Sequence, residues 1–430
     1  MKDSELLTEF EEQNPWWQKK FELEPNLIER EIQTEISKKE KLITGIIGMR
    51  RVGKTTLLKQ ILSNLLKETE PKRILYFSFD AVPEEPFFIK NMLRLYAREV
   101  LNEPLSGLKS KIYVFLDEVQ KIKKWGEEVK SIYDKDFKIK FFVSGSSSMN
   151  ILKGSGESLV GRIKFHRLNP FSFREFLRFQ GIEVNKINLD EIRQPKNAEK
   201  LKIEFSKYWE KGGLPELYTC SDPKTVLKQS LDLTFYRDVV EIFKIKRTDL
   251  IRDLFYAFLK ESGNTINYSS LADSLKTKYE TIREYVSHLE SSFLISKSRL
   301  YSKSRLKRSR KNPKIYVSDH GFFMLNGTKE GMVAETMAFN HAKKLGGYEM
   351  FYWKDRRKEV DIILKGSNPT PIEVKYKGTV SKKDIKGILK FMELNELKKG
   401  IVVTKDEYKK EKVEGKLIIF IPLWMFMLCE

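Results

Sequence analysis

Gly48-Met49-Arg50-Arg51-Val52-Gly53-Lys54-Thr55 is the stretch on which the reading of this chain turns. It fits G-x-x-x-x-G-K-[ST]. Before it runs Leu42-Ile43-Thr44-Gly45-Ile46-Ile47, which reads as a buried strand, and after it a helix is predicted over Thr55–Leu66. A strand before and a helix after is the context this motif needs. Gly48 and Gly53 let the backbone curl so that successive N–H groups face a phosphate chain, and the helix N-terminus adds a favourable dipole. Lys54 is then expected to reach the β- and γ-phosphates of ATP, and Thr55 to hold Mg²⁺. Arg50, Arg51, Val52 and Thr56 complete the loop. A chance glycine loop is the competing reading.

Working outward, short β-branched or aromatic runs alternate with helical stretches through the first 170 residues or so. Strands are predicted over Arg73–Phe79, Lys111–Asp117, Ile139–Ser144 and Ile163–Leu168. This alternation implies a parallel sheet covered on both faces. Ile112-Tyr113-Val114-Phe115-Leu116-Asp117-Glu118 is an apolar run ending in two acids. Asp117, at the strand's carboxyl end, is placed to bind Mg²⁺ through water, and Glu118 to polarise the attacking water. The fourth strand ends in Ser144-Gly145-Ser146. Ser146 is the first choice for a group touching the γ-phosphate or the water, Ser144 the second, with plain turn chemistry as the alternative. Arg162 precedes the fifth strand. It reads either as an arginine finger for a neighbouring subunit's nucleotide, in a homo-oligomer, or as a surface arginine.

Gly48–Thr56, Leu116-Asp117-Glu118-Val119-Gln120, Ser144-Gly145-Ser146, Gly161-Arg162 and Leu168–Phe176 together resemble the AAA-type ATPases of the AAA_14 family. Gly212-Gly213-Leu214-Pro215-Glu216 and Tyr236-Arg237-Asp238 extend the resemblance over nearly the whole chain. Those ATPases often carry a C-terminal domain called DUF4143. The resemblance implies an α/β fold: a P-loop NTPase parallel sheet with a helical lid, a winged-helix domain and a C-terminal restriction-endonuclease-like α/β domain. The expected divisions are 1–175, 176–260, 261–325 and 326–430.

In the third division, Tyr268–Leu275 and Glu280–Glu290 read as two helices joined by a tight turn, with Ile282, Val286 and Leu289 on one face of the second. That pattern suits a helix-turn-helix. Lys297, Arg299, Lys303, Arg305, Lys307, Arg308, Arg310, Lys311 and Lys314 follow with no acid among them. Such a run grips DNA phosphates without reading bases, or is a solvated loop; the uncompensated charge favours nucleic acid, with Lys303, Arg305, Lys307, Arg308, Arg310 and Lys311 as the contacts.

In the fourth division, Glu359–Leu364 and Pro371–Tyr376 read as strands. Glu373 and Lys375 are two apart and share a face. A hairpin turning at Gly366–Pro369 would bring Asp361 beside them. Glu335, on a predicted helix over Met332–Lys344, could add a third carboxylate. Asp361, Glu373 and Lys375 resemble the acid, spacer, acid-x-lysine pattern of the PD-(D/E)xK nuclease superfamily, with Val360-Asp361 where that superfamily has Pro-Asp. The resemblance implies Mg²⁺ on the carboxylates and Lys375 orienting water. Surface charge on an edge strand is the alternative.

Composition sets the outer limits. Among 430 residues, 80 Lys+Arg against 60 Asp+Glu leave +20, which suits a polyanionic partner. The polar start MKDSELLTEFEEQ argues against a signal peptide, and no apolar run is long enough for a membrane span. Two cysteines exclude a disulfide framework, and four scattered histidines do not read as a zinc cluster. The expectation is a cytoplasmic, DNA-coupled ATPase with a nuclease-like domain; the alternative is a nucleotide-driven switch whose last domain only recognises DNA or a partner.

Overall fold

The computed structural model describes residues 2–24, 27–36, 40–80, 87–146, 159–189, 191–241, 243–302, 304, 311–346 and 348–430. The chain folds as two compact units, residues 1–169 and 170–430.

The first unit is an α/β sandwich. Its strands are β1 (Ile43–Ile47), β2 (Ile74–Ser78), β3 (Ile112–Asp117), β4 (Ile139–Gly145) and β5 (Ile163–Arg167). Among the described residues they form one five-stranded sheet in the order β2-β3-β4-β1-β5, every neighbouring pair parallel. Side chains alternate across the sheet, so each strand feeds two cores. Leu75 and Phe77 pack with Phe10 of helix Asp3–Gln13, Met92 of helix Phe88–Glu99 and Val129 of helix Trp125–Tyr133. Ile74 and Tyr76 face the other way, towards Leu57, Leu58, Ile61, Leu62 and Leu65 of helix Lys54–Leu65. Those leucines and Ile61 recur at the three- and four-residue spacing of one helix face. In the middle of the sheet Phe115 and Phe142 are register partners and stack at 4.6 Å. This layering puts the carboxyl ends of β1, β3 and β4 side by side, at one edge, which is where a ligand binds in an open parallel sheet.

The second unit begins with helices: Phe173–Phe179, Ala198–Lys211, Pro223–Leu233 and Thr248–Lys260. Ser172 and Glu175 cap the first of them reciprocally, Ser172 Oγ accepting from the Glu175 N–H and Glu175 Oε2 from the Ser172 N–H. The expected break at Gly212-Gly213-Leu214-Pro215 is present, with a short 3₁₀ turn over Pro215–Tyr218. Helices Tyr268–Ser274 and Tyr279–Ser291 follow, the second burying Ile282, Tyr285, Val286, His288 and Leu289.

After them come β6 (Ile295–Leu300) and β7 (Lys314–Val317), an antiparallel pair. They do not stand apart as a wing. β6 also pairs with β8 (Glu349–Asp355), and the sheet continues through β9 (Lys358–Lys365), β10 (Pro369–Lys375), β11 (Lys399–Thr404), β13 (Lys416–Pro422) and β12 (Lys409–Val413). The hairpin predicted at Gly366–Pro369 is the β9–β10 turn, with Ile362 opposite Ile372. Helix Lys386–Leu394 makes the crossover between parallel β10 and β11, burying Ile388, Phe391 and Met392 against Val402 and Phe420. Helix Glu330–Ala342 packs on β7, β9 and β10. The segments expected to be a lid, a winged helix and a nuclease-like domain thus all lie within one compact unit. No helix among the described residues is long and apolar enough to cross a membrane.

Candidate functional site

The phosphate loop is shaped by its glycines. Gly53 sits at φ +97°, in the left-handed region, and caps helix Lys54–Leu65. At Gly48 a Cβ would lie 2.3 Å from the Leu168 carbonyl oxygen, so no side chain fits. Lys54 is buried, and its Nζ donates to the Gly48 and Met49 carbonyls at 3.2 and 3.3 Å. Glu118 Oε1 is 3.7 Å from the same nitrogen. Thr55 Oγ1 donates to Asp117 Oδ2 at 2.6 Å, and the Tyr76 hydroxyl donates to the same oxygen at 2.8 Å. Burial, then Asp117 beside it, pushes the Tyr76 phenol far above its usual range, so it stays a donor. Ser144 Oγ donates to Asp117 Oδ1 and accepts from the Glu118 N–H at 3.1 Å. Gln120 Nε2 donates to Glu118 Oε2 and lies 3.5 Å from Ser146 Oγ.

Lys54, Thr55, Asp117, Glu118 and Ser146 therefore converge. Arg50, Arg51 and Thr56 are half-buried around the loop, and Val52 is buried under it. Four residues around them carry parts that sequence reading did not assign. Tyr76 and Ser144 orient Asp117, Gln120 bridges Glu118 and Ser146, and Arg30 holds the loop. Its guanidinium donates to the Val52 carbonyl at 3.0 Å and the Asn169 carbonyl at 2.6 Å. Gln120 was legible as the end of Asp-Glu-Val-Gln; Arg30 carried no local signal.

Among the described residues no three His, Cys, Asp or Glu side chains are grouped to hold a metal ion. The Mg²⁺ that travels with ATP needs no such group. It takes mostly phosphate and water oxygens plus one or two protein oxygens. Thr55 Oγ1 and Asp117 Oδ2, hard oxygen donors in contact at the loop's end, fit it.

Arg162 lies elsewhere. Ile43 pairs with Ile163 where β1 and β5 begin, and Ile47 with Arg167 where they end beside the loop. Arg162 is thus at the amino end of the sheet, roughly 15 Å of strand from its own phosphate loop. Its Nε donates to Asp134 Oδ1 at 2.6 Å. From there it does not reach its own chain's nucleotide site, and its pairing with Asp134 is that of a surface arginine.

In the second unit, Glu335, Asp361, Glu373 and Lys375 are brought to one place. Asp361 Oδ2 accepts the Val374 N–H at 2.9 Å, and Lys375 donates to Glu373 Oε1. Glu373 Oε2 is buried with no partner among the described residues. At the centre stands Lys314, 2% exposed. Its Nζ is 2.6 Å from Glu359 Oε1, 3.0 Å from Glu335 Oε1 and 3.1 Å from Asp361 Oδ1. Tyr316 donates to Glu335 Oε1 at 2.8 Å. Burial, and then Asp361, pushes Glu335 up to about 7. Burial lowers the Lys314 ammonium, but Tyr316, Glu335, Asp361 and Glu359 outweigh it and hold it well above the usual lysine range.

This corrects the reading of the basic run. Lys314 is not a phosphate-gripping surface charge: Ile315-Tyr316-Val317 forms a buried strand and draws it inside. Nor is Lys297 uncompensated, since its Nζ pairs with Glu290 at 2.8 Å. Arg299 and Lys311 are exposed. Lys303, Arg305, Lys307, Arg308 and Arg310 lie outside the described residues. The exposed face of helix Tyr279–Ser291 carries Glu280, Arg283 and Glu284, so it adds no net positive charge.

The chain is similar to known proteins along most of its length. An uncharacterized protein of Methanocaldococcus jannaschii is 30% identical over 433 residues, covering 92% of this chain and 93% of that one. The chain belongs to one family with this archaeal relative. A second uncharacterized protein of the same organism is 27% identical over 436 residues, covering 94% of this chain and 88% of its own. Within this family member, residues 40–177 match the AAA_14 AAA domain, and residues 330–426 match DUF4143, a domain of unknown function. Residues 202–330 match a further domain of unknown function, DUF8612. The AAA_14–DUF4143 chain is therefore an AAA-type protein with an ATP-binding domain. The solved structure of the Aeropyrum pernix ORC1 protein in complex with DNA aligns at a TM-score of 0.30 and 10% identity, over 70% of this chain and 87% of that one.

Proposed function

We propose that the first unit hydrolyses ATP and that DNA held by the second unit controls its turnover. The observation that carries the ATPase half is the meeting of Lys54, Thr55, Asp117 and Glu118 at the carboxyl edge of the parallel sheet. Mg²⁺ on Thr55 and Asp117 would neutralise phosphate charge. Lys54, held at rest only by neutral carbonyls and a more distant carboxylate, turns to the phosphates. Glu118 accepts the proton of the attacking water, and Gln120 orients its carboxylate. Ser146, linked to Glu118 through Gln120, is the side chain assigned to sense the γ-phosphate. Arg162 completes the site of a neighbouring copy in a homo-oligomer. Arg162→Ala subunits mixed with Glu118→Gln subunits should then regain part of the turnover that each lacks alone; no rescue removes that role.

The DNA half rests on the basic segment around Lys303–Lys311 and the net charge of +20. The deciding experiment is the phosphate-release rate with and without duplex, single-stranded and branched DNA. A rate indifferent to all three, but raised by a protein partner, would leave a nucleotide-driven switch.

Cleavage is the second reading, favoured by the unpartnered oxygen of Glu373 next to Lys375 and Asp361. A divalent ion shared by Asp361 and Glu335 does not fit as the cluster stands, because the Lys314 ammonium already lies between those two carboxylates. The reading favoured for the DUF4143 segment is recognition without cutting.

A further inference from the structure

We infer that Lys314 is a built-in cation that takes, among Glu335, Glu359 and Asp361, the place a divalent ion takes in a metal-dependent cluster. The domain accordingly holds its nuclease-like carboxylates together without a metal.

An ammonium has three N–H donors and no acceptor. Lys314 has three carboxylate oxygens within 2.6–3.1 Å, one from each of three acids: it donates hydrogen bonds to Glu335 and Asp361 and forms an ion pair with Glu359. The remaining charge is also answered. Lys354 Nζ is 2.9 Å from Glu359 Oε2, and Lys375 is paired to Glu373. Each of the four acids thus has an ammonium partner.

Nor can the lysine easily leave. Its residue pairs with Ser298 across the β6–β7 ladder and bridges to Thr265 on the other side. The Tyr352 ring lies 5.9 Å from Nζ. Tyr316, two residues on and on the same strand face, donates to the Glu335 oxygen that Lys314 also holds. A divalent ion bound between Asp361 and Glu335 would sit at about 2.0–2.6 Å from their oxygens, beside the ammonium that already neutralises both, and the two cations would repel.

The test uses the purified full chain without ATP, and Mn²⁺ as the probe, counted by electron paramagnetic resonance. Wild type and Asp361→Asn should bind Mn²⁺ equally, since no ion uses Asp361. Lys314→Ala should melt at a lower temperature, bind one further Mn²⁺ per chain, and recover melting temperature as Mn²⁺ is added; Lys314→Ala with Asp361→Asn should not recover. An Mn²⁺ bound by wild type and lost in Asp361→Asn overturns the inference. So does a folded Lys314→Ala that gains no ion. Should Lys314→Ala fail to fold, the comparison of wild type with Asp361→Asn decides alone. These readouts involve neither ATP nor DNA, so they stand or fall apart from the function proposed above.

Discussion

Each unit buries a lysine beside acids, and the two lysines are held very differently. Lys54 gives its hydrogen bonds to the neutral Gly48 and Met49 carbonyls of its own loop, with Glu118 at 3.7 Å. Lys314 faces three carboxylates, from residues 21, 45 and 47 positions away, at 2.6–3.1 Å. A phosphate chain competes readily with two carbonyls, because charge-assisted hydrogen bonds are about twice as strong as neutral ones. It competes poorly with three carboxylates. The first lysine is poised for an incoming anion. The second is already satisfied and serves the fold.

The largest expected effect breaks the first site. Glu118→Gln should keep ATP binding and lower turnover by about 10²–10⁴-fold, since only the proton acceptor is gone. Lys54→Ala should lose binding as well. Phosphate release and fluorescent-nucleotide titration separate the two, and unaltered turnover in Glu118→Gln would remove Glu118 from catalysis. Next, stability should respond in the opposite order. Lys314→Ala leaves three acids facing one another and should cost the second unit about 3–5 kcal/mol. Lys54→Ala, which strands no set of carboxylates, should cost about 1 kcal/mol, near the typical value for a point change. Denaturant unfolding with a probe in each unit measures both; equal losses would erase the contrast.

A third change probes charges that Lys314 was first grouped with. Replacing Arg305, Lys307, Arg308 and Arg310 by Ala should weaken DNA binding irrespective of sequence. If all four touch duplex phosphates, the slope of log affinity against log salt should flatten by roughly 3–4. An unchanged slope would make the segment merely solvated. The smallest effect should come from Arg30→Ala. It frees the Val52 and Asn169 carbonyls without touching a ligand, and should weaken ATP affinity by about tenfold, the scale of one or two charge-assisted bonds. An equal fall in turnover at saturating ATP would give Arg30 a larger part than holding the loop.

The first unit was largely legible because its chemistry is local. Eight consecutive residues encode the curl of the loop and the start of the helix. The apolar runs ending at Asp117 and Ser144 place the remaining groups at the strand ends. Element bounds shifted by about one residue, as where the helix starts at Lys54 and the short turn Pro71–Arg73 delays β2 to Ile74. Asp361, Glu373 and Lys375 could be grouped for a related reason. A hairpin and a two-residue period put them together.

What sequence alone determined, then, is whatever a strand period, a helix start or a tight turn encodes within a few residues: the phosphate loop, the parallel sheet behind it, and the acid-x-lysine face of β10. Only the tertiary structure decided which charge of the basic run goes inside. That choice depends on β6 and β7 joining the sheet edge, and on the register that sets Ser298 opposite Lys314. A slip of one residue turns every side chain of a strand to the other face. The acids that hold Lys314 in place come from helix Glu330–Ala342 and strand β9, too far along the chain for any local pattern to announce.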